Sequence, residues 1–128
     1  MTVDEASTEA RDSQLAEAAA SGRALVAHCS SCEYSFWHPR GHCPRCGSRR
    51  VALVDAGGSA RVYTATTNHR PRGGGSEPVQ LGYVEFPDGV RMLVNLRFPD
   101  GDPVIGAEVT PDREGDGETV RLVFRPVE

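Results

Sequence analysis

Apolar and polar residues follow two different periods along this chain, and the period changes near residue 50. Upstream, DSQLAEAAA (12–20) places Leu15, Ala18 and Ala19 on one side of a helix. Asp12 or Ser13 offers a cap, Ala and Glu favour the helical state, and Gly22 stands where a helix can stop. This stripe is too slight to hold a helix by itself, so the segment is expected to dock on the rest of the chain. Leu25 and Val26 then lead into a short strand. Downstream, VALVDAG (51–57), ARVYTATT (60–67), VQLGYVEF (79–86), VRMLVNL (90–96), GAEVTP (106–111) and TVRLVFRPV (119–127) read as strands. They are rich in Val, Tyr, Thr and Phe, with Gly, Pro and Asp between them. FPDGVR is a tight hairpin turn, while RFPDGDPV and DREGDGE are longer ones.

Short strands with no helical pattern among them predict a small closed barrel of the OB type. Tyr63, Tyr83 and Phe86 are expected in its core. The connection NHRPRGGGSEP (68–78) is longer than a strand-to-strand turn requires. Three consecutive glycines lie in it, flanked by Arg70 and Arg72, so it is expected to be a mobile segment that a partner could order. The predicted organisation is a flexible N-terminus and short helix (1–24), a metal-bearing segment (25–50) and a barrel (51–128).

The middle segment carries the chemistry. All four cysteines of the chain stand in CSSCEYSFWHPRGHCPRCG (29–47), spaced C-x2-C-x10-C-x2-C. Each C-x-x-C pair can turn tightly and aim two thiolates at one point, and two pairs make the tetrahedral four-sulfur cage that zinc prefers. Cys29, Cys32, Cys43 and Cys46 are therefore the predicted ligands of one Zn. Pro44 and Gly47 suit the second turn, and Glu33 stands in the first where Gly would be easier. A four-thiolate site has no open position for water or substrate, so it is structural. His28, His38 and His42 are then left as surface or supporting groups.

Charge narrows the function. Residues 1–20 carry five acids and one base, and the rest of the chain has 13 of each sign. The chain's net charge is -4 and it contains no Lys. Nucleic-acid-binding domains usually show a basic footprint, which disfavours a nucleic-acid binder, although OB barrels and zinc ribbons both occur in such proteins. The acidic N-terminus lacks a basic n-region and an apolar h-region, and no stretch is long and apolar enough to span a membrane, so a cytoplasmic protein is expected. Arg40, Arg45, Arg49 and Arg50 make the ribbon locally basic.

The order of S-G-R-A-L, C-S-S-C, F-W-H-P-R, C-P-R-C-G-S and S-A-R-V-Y-T-A-T-T resembles the acyl-CoA-associated zinc-ribbon/OB-fold proteins, from about Leu15 to Val127. This chain has His38-Pro39-Arg40 where Pro-Pro-Arg is common. The resemblance implies a mostly β chain: a short N-terminal helix, a rubredoxin-like zinc ribbon and a small OB-fold barrel. It also implies a non-catalytic accessory subunit of a thiolase-like enzyme, such as a thiolase, an acyltransferase or an aldolase that cleaves steroid side-chain CoA thioesters. The partner would carry the chemistry, and this chain would stabilise it and help form the acyl-CoA channel. Trp37, Arg40, Arg45, Arg70 and Arg72 are the candidate contacts to CoA or to the partner. The alternative is an OB-fold/zinc-ribbon protein that binds single-stranded nucleic acid.

Overall fold

A computed structural model of the chain describes residues 8–69, 78–117 and 120–127. Helix α1 (Thr8–Ala20) begins a turn earlier than the cap at Asp12 suggests, since no breaker stands between Thr8 and Asp12. Its end is a paired-bond cap. The Gly22 N–H donates to the Ala19 carbonyl at 3.0 Å and the Arg23 N–H to the Ala18 carbonyl at 2.8 Å, with Gly22 left-handed at φ 73°. The helix packs on the last two strands of the barrel, and Arg113 donates to the Ala20 carbonyl. Among the described residues, no helix is long and apolar enough to cross a membrane.

Strands β1 (Leu25–Cys29), β2 (Ser35–Phe36) and β3 (Val51–Asp55) form an antiparallel sheet in the order β2-β1-β3. This corrects one expectation: the strand at 51–55, read as the first of the barrel, belongs to the ribbon. It pairs with β1 from Leu25↔Asp55 through Cys29↔Val51, because the fold of the cysteine segment returns the chain alongside its own start. The barrel follows: β4 (Ala60–Asn68), β5 (Val79–Glu85), β6 (Arg91–Leu96), β7 (Glu108–Glu114) and β8 (Arg121–Pro126). The strands close in the order β4-β5-β6-β8-β7. The β4–β7 closure is short, at Ala60↔Val109 and Arg61↔Glu108, and the β6–β8 contact is parallel, at Asn95↔Val123 and Leu96↔Phe124. This is a closed five-stranded barrel of the OB type.

Strand β7 runs through Asp112–Glu114, which the sequence pattern assigns to a turn. Arg125 and Arg97 on the facing side pair with those acids and keep them in the ladder. The hairpin at Phe86–Val90 forms as predicted, with the Gly89 N–H on the Phe86 carbonyl at 2.8 Å and Gly89 at φ 94°.

Two cores result. The barrel core holds Val62, Val84, Met92, Leu96 and Val109 around Phe86 and Phe124, whose rings meet edge to face at 6.1 Å. The ribbon core holds Ala27, Cys29, Phe36, Cys43 and Val51. β1 is the wall between them: Val26 belongs to the barrel core, while Ala27 and Cys29 belong to the ribbon core. Phe86 is buried as expected, but Tyr63 and Tyr83 are not core residues; they are 45% and 44% exposed. A bulge between Val62 and Thr64 keeps Val62 inside and turns Tyr63 out, and on β5 buried Gly82 and Val84 alternate with outward Tyr83.

Candidate metal centre and the surface around it

The two C-x-x-C turns are built alike. In the first, the Glu33 N–H donates to the Cys29 carbonyl at 2.8 Å, and the Cys29 N–H donates to the Tyr34 carbonyl at 2.8 Å. In the second, Gly47 and Cys43 repeat the first bond at 2.9 Å, and Cys43 and Ser48 the second at 2.8 Å. Ser31 and Ser48 join the turns through their hydroxyls at 2.9 Å. The four sulfurs lie within 4.8 Å of one another, with Cys29–Cys46 and Cys32–Cys43 both at 3.7 Å. A disulfide needs about 2.05 Å. A tetrahedron with metal–sulfur bonds of about 2.3 Å sets its sulfurs about 3.8 Å apart. Spacing and donor chemistry both fit Zn, and no histidine joins the cluster.

Electrostatics agree with that reading. Burial alone would raise the Cys29 thiol, but N–H groups of Cys32 and Ser31 bring its pKa down to about 6. Cys43 is lowered in the same way, by the N–H groups of Cys46 and Arg45 overcoming burial. Cys32 is pushed up to about 12, by burial and then by the neighbouring sulfurs of Cys46 and Cys43. Four sulfurs this close favour full ionisation only around a cation.

His28 lies outside the metal cage. Its Nδ1 meets Ser35 Oγ at 2.8 Å and its Nε2 meets Glu33 Oε1 at 3.1 Å. The β1–β2 register sets His28 opposite Ser35, and this Ser–His–Glu chain ties the ribbon sheet together. Sequence reasoning missed the contact. Only the pairing of a two-residue strand reveals it, and two residues carry no period.

Of the other candidate residues, the structure brings two together. Trp37 and Arg45 line one groove of about 500 Å³ between the ribbon and the β5–β6 hairpin, with Arg91 opposite. Phe36 is buried in the ribbon, whereas Trp37 is half-buried against the barrel core. The Arg45 guanidinium lies over the Tyr34 ring at 5.2 Å. Arg40 is exposed and does not line that groove. Arg70 and Arg72 lie outside the described residues, as does most of the 68–78 connection.

A closed four-cysteine ribbon joined to an OB barrel defines the class of protein: a zinc-ribbon/OB-fold protein. Comparison with known families agrees. Residues 16–52 match the model of the ChsH2 rubredoxin-like zinc ribbon domain, and residues 53–114 match that of the ChsH2 C-terminal OB-fold domain. The chain belongs to the ChsH2 family. It is 36% identical over 114 residues to a probable enoyl-CoA hydratase alpha subunit of Thermomonospora curvata; that match covers 86% of this chain and 35% of the relative. The chain thus spans about a third of that curated relative. Among solved structures, an Ltp2–ChsH2(DUF35) aldolase is similar at 33% identity and a TM-score of 0.74, over 90% of this chain and 93% of that one. A DUF35-family protein of unknown function from Sulfolobus solfataricus shares the fold, at 18% identity and a TM-score of 0.61, over 90% and 84% of the two chains.

Proposed function

We propose that this chain is a non-catalytic accessory subunit of a thiolase-like acyl-CoA enzyme. The observation that carries the reading is the likeness, along nearly its whole length, to a chain of a two-component aldolase. The metal centre supports it, because a cage that spends every position on cysteine leaves none for substrate. The partner supplies the reaction, whether thiolytic, acyl-transferring or retro-aldol on a steroid side-chain CoA thioester. This chain stabilises the partner and contributes to the acyl-CoA channel, with Trp37 and Arg45 as its contacts. Arg40, Arg70 and Arg72 are further candidates for the same role, and the assembly works in the cytoplasm. The Ser35–His28–Glu33 chain is a clamp on the ribbon sheet.

The test is co-purification from the native host, followed by assay. The expected result is a thiolase-like protein in the eluate, acyl-CoA turnover only by the mixed complex, and unchanged turnover with Ser35→Ala. Turnover by the isolated chain, abolished by Ser35→Ala, would overturn the accessory role. Recovery of single-stranded nucleic acid in place of a thiolase-like protein would support the alternative.

A further inference from the structure

The outer face of β4-β5-β6 carries a run of exposed apolar side chains. Tyr83 stands opposite Leu93 on β6, which is 50% exposed, and opposite the β4 bulge that turns Tyr63 outward. Beyond β4, the Gly106 N–H bonds to the Val62 carbonyl at 2.8 Å and sets Val104 and Ile105, 58% and 60% exposed, beside that strand. These five residues are most of the exposed large hydrophobic side chains among the described residues; Val54 and Val127 are the others. Exposed apolar side chains grouped on one side of a domain mark an interaction site.

The patch leads into a concave site. Leu93 also lines a cleft of about 220 Å³ where α1, the ribbon and the barrel meet, with Leu15, Leu25, Trp37 and Leu122 among its walls. Arg91 marks the other border, its guanidinium 3.8 Å from the Tyr63 ring centroid, and it lines the groove that holds Arg45. Arg45 stacks on Tyr34, forms no ion pair among the described residues, and shares its groove with Glu33 and Asp88.

We infer that this face is the docking surface for the thiolase-like partner, with an apolar partner side chain entering the cleft beside Trp37 and a partner carboxylate meeting Arg45. The inference rests on the functional reading above. Three observations select this occupant. Exposed apolar side chains beside an apolar-walled cleft suit the core of a protein–protein interface. The aromatic residues and arginine around it are the types enriched in such cores. Arg45 at its edge, a cation in no ion pair among the described residues, can meet an acid on the other side.

The test uses the full zinc-loaded chain and the thiolase-like protein co-purified with it. Leu93→Asp puts a charge at a half-exposed outward position, so zinc content and fold should be kept, and affinity for the partner should fall at least tenfold. Val54→Asp, on the ribbon's edge strand β3 and lining neither the cleft nor the groove, should bind as wild type. A complex that Leu93→Asp leaves unchanged overturns this inference alone. Absence of any complex with the wild-type chain overturns the functional reading and this inference together. If the isolated chain forms a dimer that Leu93→Asp breaks, with the hetero-complex intact, the face belongs to a second copy and the inference is wrong. Should Leu93→Asp lose its zinc, hydroxyl-radical footprinting of the wild type decides: Tyr63, Tyr83 and Trp37 should lose reactivity in the complex, and unchanged reactivity overturns the inference.

Discussion

Glu33 and Gly47 occupy the same place in the two cysteine turns. Each donates its N–H to the carbonyl of the first cysteine, and each has a left-handed backbone, at φ 64° and 80°. A residue with a Cβ pays about 1 kcal/mol or more for that conformation. Nothing lies within 4 Å of a Cβ added at Gly47, so Gly47→Ala should cost about 1 kcal/mol through the backbone alone. Glu33→Gly should stabilise the folded chain by about 0.5–1 kcal/mol, because the exposed contact to His28 that it removes is worth less than the strain it relieves. Urea midpoints of the two variants, moving in opposite directions, check this.

Cys43→Ser should abolish binding of one Zn per chain, since the binding energy of such a site is part of its folding energy. The damage should reach the barrel, because Val26, on the ribbon strand β1, belongs to the barrel core. Trp37 is the single tryptophan and packs on that core, so its emission should shift to the red when a chelator strips the wild type. Metal analysis and fluorescence read both effects. A metal-free wild-type chain with an unshifted spectrum would contradict them.

Gly82 faces the β4 bulge so closely that a Cβ there would lie 2.0 Å from the Thr64 carbonyl oxygen. The obstacle is backbone, which cannot swing aside as a side chain would. Gly82→Ala should cost about 3 kcal/mol, measured by denaturant unfolding of the zinc-loaded protein.

Glu114 accepts from Arg97 at 2.7 and 2.6 Å, with Arg121 and Arg125 nearby. The bond from Arg97 holds its carboxyl below the usual 4.5, against the partial burial that works the other way. Asp112 is lowered too, by the Arg113 N–H and by Arg125. A depressed carboxylate contributes stability that is complete above its unfolded pKa and is lost as pH falls through the lower folded value. Glu114→Gln should therefore cost about 1.5 kcal/mol at neutral pH. The gap to wild type should close as pH falls below 4.5 and through the lower folded value. Both proteins keep the same cysteines, so the difference between their urea midpoints isolates this group from acid release of zinc.

Much of this fold is legible in local pattern. The spacing of Cys29, Cys32, Cys43 and Cys46 suffices for the metal centre, because a C-x-x-C turn fixes its own geometry within a few residues. The stop at Gly22, the hairpin at Gly89 and the turn at Gly47 are equally local, each set by one backbone angle. Period-two runs mark the barrel strands, since a strand that buries one face must alternate.

What the sequence by itself determined, then, is the zinc ribbon, the helix stop and where the strands after residue 50 lie. Tertiary structure alone decided three other things. It assigned Val51–Asp55 to the ribbon, since a strand's own pattern does not name its neighbour. It set Tyr63 and Tyr83 on the outer face, because alternation along a strand defines two faces and only the closing of the barrel decides which of them is inside. It also gathered Trp37, Leu93 and Leu15 into one cleft, from a helix, a ribbon and a barrel far apart along the chain. Such a surface depends on how elements dock, and docking is set by the summed burial of all of them rather than by any local run of residues.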